Sequence, residues 1–102
     1  MIWLMPEMTF QVRWPDGIEQ QCYSPSLVVH EYLSVGATYD VAEFVARTGR
    51  AMAEASERVR AKYGFACTSA AATAQEIQRA AVRYPADAAI RIVAMHPAPE
   101  AS

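Results

Sequence analysis

The sequence predicts an α+β domain: a small, mostly antiparallel three-stranded sheet, formed by an N-terminal hairpin and a C-terminal strand and packed by two antiparallel helices. Three observations predict it. Apolar residues alternate strictly over Met8, Phe10, Val12 and Trp14, just ahead of Pro15-Asp16-Gly17; a stripe at the 3.6-residue period runs from Asp40 to Tyr63; and a last apolar run spans Ala88 to Met95.

The alternating stretch is a half-buried strand, with Thr9, Gln11 and Arg13 on its outer side. Pro15 presets a negative φ, Asp16 can bond its own backbone, and Gly17 is free to take a positive φ, so a tight hairpin turn follows. The return strand, Ile18 to Tyr23, carries Glu19, Gln20 and Gln21 and reads as an edge strand, where polar residues discourage pairing with another chain. Ser24-Pro25 has the form of an N-cap followed by proline at the first helical position, so a short helix through Leu33 is one reading. The β-branched pair Val28-Val29 favours an extended piece instead. Gly36 ends the segment in either case.

The longest helix has both ends marked. Asp40 and Glu43 have the spacing of a capping box, and Tyr39 with Phe44 that of a hydrophobic staple. Its inner stripe is Val41, Phe44, Val45, Thr48, Met52, Ala55, Val59 and Tyr63. Glu43 with Arg47 and Glu54 with Arg58 are spaced i,i+4 in the favourable order, about 0.2–0.5 kcal/mol each. Cations gather in the last turns, Gly64 suits the left-handed C′ position, and Phe65 is expected to fold back on Val59. Gly49, mid-helix, costs about 1 kcal/mol against alanine, which suggests a close backbone approach or a bend there.

A second, alanine-rich helix begins at Ser69 or at Thr73, which could cap with Glu76, and ends at Tyr84 because Pro85 cannot continue it. Its thin stripe of Ala70, Ala74, Ile77, Ala81 and Tyr84 suits close packing against the longer helix. In the last strand Ile90, Ile92 and Ala94 fall on one face and Arg91, Val93 and Met95 on the other. Both faces being fairly apolar, the strand is expected to lie beside the first one and to be covered on its second face, by another subunit in a homodimer.

The chain has 102 residues, enough for one domain that buries roughly 60–65% of its unfolded surface. Its folded core is expected over residues 5–97, with flexible ends at 1–4 and 98–102 and with Met5 as a competing start to Met1. A hydrophobic content of 53% against 20% charged residues argues against disorder. A net charge of -2 gives no basic surface for nucleic acid or anionic membrane, and no apolar run approaches a membrane span. A cytoplasmic protein is expected. There, Cys22 and Cys67 are read as free thiols that behave as small buried apolar residues.

No motif for chemistry stands out. Cys22, Cys67, His30 and His96 include no pair at a metal-binding spacing, so no metal and no cofactor is expected. Four scattered glycines make no phosphate cradle. His96 stands at the start of the tail, poorly held for a catalytic base. Arg47, Arg50, Arg58 and Arg60 are interleaved with Glu43, Glu54 and Glu57 and describe a solvated face. Trp3, Trp14, Tyr23, Tyr32, Tyr39 and Tyr63 suit recognition better, since such rings are enriched where apolar surface meets a partner. Trp14 and Tyr63 fit the core stripes.

Met5-Pro6-Glu7-Met8, Trp14-Pro15-Asp16-Gly17, Cys22-Tyr23-Ser24-Pro25-Ser26, Val41-Ala42-Glu43-Phe44 and Tyr63-Gly64-Phe65-Ala66-Cys67 together resemble a family of small bacterial nitrogen-starvation response proteins, from Met5 to about Pro97. The resemblance implies a physiological setting and a gene cluster with a nitrilase, a radical SAM enzyme, an acetyltransferase and a flavin-dependent oxidoreductase. It brings no catalytic residues. The leading expectation is a non-enzymatic accessory or interaction protein whose partners are cluster-encoded enzymes or a second copy of itself. The alternative is a small-molecule-binding protein or small enzyme, with a pocket near residues 22–39 lined by Cys22, Tyr23, His30 and Tyr32.

Overall fold

The computed structural model describes residues 7–64 and 68–97. Its elements, in chain order, are β1 (Met8–Arg13), β2 (Glu19–Ser24), α1 (Val29–Tyr32), β3 (Thr38–Asp40), α2 (Val41–Tyr63), α3 (Thr68–Ala81) and β4 (Ala89–His96). The class is α+β with an antiparallel sheet, as the sequence predicts. The sheet has four strands rather than three, in the order β2-β1-β4-β3.

The hairpin forms as expected. Gly17 takes φ 91°, its N–H donates to the Trp14 carbonyl, and the Asp16 carboxylate accepts from the Ile18 N–H at 3.1 Å. β2 is an edge strand, and β4 lies beside β1. The extra strand is β3. Tyr39 pairs with Ile90 and Asp40 with Ala89, while just upstream Gly36 N–H donates to the Ile92 carbonyl and Ile92 N–H to the Ala37 carbonyl.

The two-sided appearance of β4 has a local cause. Between Gln11 and Val12 of β1 the register steps from Ala94 to Ile92, so Val93 is an extra residue in a β-bulge. The bulge reverses the alternation. Ile90, Ile92 and Met95 therefore all reach the core, at 2% exposure or less, and Ala94 does not share their face. This corrects the face assignment read from the sequence: Met95 joins Ile90 and Ile92 on the core face, and Ala94 leaves it.

The core lies between the sheet and the two long helices. Phe10, Val12, Phe44, Ala51, Ala55, Ile77, Ile90 and Ile92 are essentially inaccessible. Trp14 stacks on Tyr84 with ring centroids 5.2 Å apart and meets Phe44 edge-on at 5.7 Å. Tyr63, expected in the stripe of α2, is exposed instead.

Several caps differ from expectation. Asp40 precedes α2 but its side chain makes no capping hydrogen bond, because Asp40 belongs to β3. The first N–H groups of α2 are satisfied by the chain leading into β4: Val41 donates to Ala88 and Ala42 to Ala86. Gly64 takes the left-handed cap with φ 81° and donates to the Arg60 carbonyl, as expected. Phe65 and Cys67 lie outside the described residues. Ser24 ends β2, where its hydroxyl donates to the Ser26 carbonyl and accepts from the Ser26 N–H, so the helix through Leu33 shrinks to the four residues of α1. Thr73 is buried inside α3 rather than capping it, and donates to the Tyr23 carbonyl on the edge strand at 2.8 Å. Around Gly49 a Cβ would meet nothing within 4 Å, so no close backbone approach explains that glycine.

Candidate functional site

The four residues proposed to share a pocket are not brought together: Cys22 is buried in the core, and Tyr23, His30 and Tyr32 bond three different partners. Cys22 and Tyr23 are neighbours on β2 and therefore point to opposite faces of the sheet. Cys22 is 3% exposed, and burial, with a smaller contribution from the Glu76 carboxylate, pushes its thiol up to about 12. A thiol so protonated is a poor nucleophile. On the other face, Tyr23 donates its hydroxyl to Glu7 at 2.9 Å.

His30 and Tyr32 project from α1. The His30 ring nitrogen Nε2 lies 3.0 Å from the Pro97 carbonyl oxygen. A carbonyl only accepts, so Nε2 carries the hydrogen and His30 ties α1 to the end of β4. Tyr32 donates its hydroxyl to Glu54 of α2 at 2.8 Å. That bond, followed by burial and the charges of Glu54 and Glu31, raises the phenol above its ordinary value.

Around Tyr32 a polar seam joins α1 and its flanks to the charged side of α2. Arg58 reaches Glu54 at 2.7 Å and, at 3.4 Å, both Glu31 and the Ser26 hydroxyl. Arg47 pairs with Glu43 at 2.7 Å, donates to the Tyr32 carbonyl at 2.9 Å, and lies 4.9 Å over the Tyr39 ring. Both i,i+4 pairs expected from the sequence are therefore present. They belong to a network that pins residues 26–39 onto α2, where each group already has a protein partner. Its chemistry is attachment.

The surface with unused capacity lies on the opposite side of α2. An open groove of about 460 Å³ is lined by Val41, Ala42 and Val45 of α2, Gln78 and Ala81 of α3, and Val82, Tyr84 and Ala86 beyond it. No residue with a charged side chain lines it, and Gln78 and Tyr84 are its lining residues with polar side-chain groups. The Tyr84 hydroxyl is already bonded to Asp16; burial and that bond raise its pKa. Val82 is 83% exposed at the rim, the most exposed large apolar side chain among the described residues. Single exposed apolar residues are common, but Val82 stands at the edge of a shallow, mostly apolar groove.

This groove was missed in the sequence because its walls come from the shoulders of two stripes read only as core. Val82 offered the available signal. It falls off the Ala74, Ile77, Ala81 stripe yet is a bulky aliphatic residue.

Among the described residues, no group of three or more His, Cys, Asp or Glu side chains could hold a metal ion, and no helix is long and apolar enough to cross a membrane. The chain matches the family model of the nitrogen starvation-induced protein NitG over residues 9–95 and belongs to that family. Neither the curated proteins nor the solved structures contain a match to it.

Proposed function

We propose that this member of the NitG family is a non-enzymatic interaction protein of the bacterial nitrogen-starvation response, working in the cytoplasm by docking an enzyme encoded in the same gene cluster. The observation that carries the reading is the uncharged groove between α2 and the end of α3, with Val82 exposed at its rim. A partner that fills such a groove removes apolar surface from water at about 25 cal/mol per Å² without stripping water from a charge. The remaining chemistry points the same way: the Cys22 thiol is buried and protonated, and Tyr23, His30 and Tyr32 are committed to separate structural bonds.

Affinity capture of the tagged protein from nitrogen-starved cells tests the proposal. The expected result is retention of the nitrilase, the radical SAM enzyme, the acetyltransferase or the flavin-dependent oxidoreductase in stoichiometric amounts. Recovery of none of them under mild conditions would count against it. Self-association is the competing use of the groove, and light scattering of a monomer at high concentration excludes it.

A second reading, small-molecule binding, draws support from the groove's size, which falls within the roughly 300–1,000 Å³ of ligand sites. The ligand would sit there rather than among Cys22, Tyr23, His30 and Tyr32. A thermal-shift screen of nitriles, amides and amino acids distinguishes the two, since a ligand at 100 times its dissociation constant adds about 2.7 kcal/mol of stability.

A further inference from the structure

We draw no further inference here: the strongest candidate, the apolar groove between the first turns of α2 and the end of α3, is the surface already proposed for docking, and nothing in the structure shows what chemistry covers it.

Discussion

With Cys67 replaced by serine, Cys22 is the sole thiol of the chain, and its rate of reaction with an aromatic disulfide reagent such as DTNB reports directly on its environment. An unperturbed thiol at the reference value of 9.0 is roughly one-tenth thiolate at pH 8. Pushed to about 12, it is roughly one part in ten thousand thiolate, so the reactive species falls about a thousandfold before access is considered. Access lowers the rate further, because Cys22 is 3% exposed on the core face of β2 under α3. The Cys67→Ser protein should therefore react at least about a thousandfold more slowly when native than in denaturant, through openings that expose β2. A native rate within about tenfold of the unfolded one would refute the reasoning. It would also make Cys22 a candidate nucleophile.

The same thiol predicts an alkaline weakness. Its folded value is raised above the unfolded one, so the stability it contributes is whole below about pH 9 and is lost as pH rises toward 12, at up to about 1.4 kcal/mol per pH unit. Tyr32 and Tyr84, shifted in the same direction, add to the loss above pH 10.0. Denaturant midpoints between pH 8 and 11 should fall, and the fall near pH 9–10 should be absent in Cys22→Ala. Gly49→Ala should stabilise α2 by about 0.5–1 kcal/mol, because a Cβ there meets nothing, and should raise Tm by roughly 2–8 °C; a lower Tm would show that the space is used. Asp40→Ala should cost less than about 0.5 kcal/mol in chemical denaturation, where loss of a true side-chain cap costs about 1 kcal/mol.

The parts of the fold legible in the sequence are those fixed by one period or one turn. β1 alternates, the Gly17 turn needs a positive φ, and α2 carries a stripe with a glycine stop, so each forms where local pattern and global packing agree. What the sequence concealed depends on contacts between distant segments. β3 is three residues long and exists because β4 offers it an edge, so Asp40 looked like a helix cap. The bulge at Val93 is a register change against β1, and it made a strand with one buried face look as though it had two. Thr73 reads as a cap until the Tyr23 carbonyl of the edge strand is placed beside it. The proposed site suffered similarly. Cys22, Tyr23, His30 and Tyr32 are close in sequence, but strand alternation buries Cys22 in the core while Tyr23, His30 and Tyr32 bond Glu7, Pro97 and Glu54, and the groove draws on residues 41–45 and 78–86.

The most direct measurement compares affinity capture by the wild type and by Val82→Glu from nitrogen-starved cells. Val82 is 83% exposed, so the substitution leaves the fold within about 0.5 kcal/mol of wild type while placing a charge at the rim of the groove. The wild type is predicted to retain a cluster-encoded enzyme and Val82→Glu, with an unchanged circular dichroism spectrum and Tm, to lose it. Equal retention of that enzyme by both proteins, or by neither, would contradict the account.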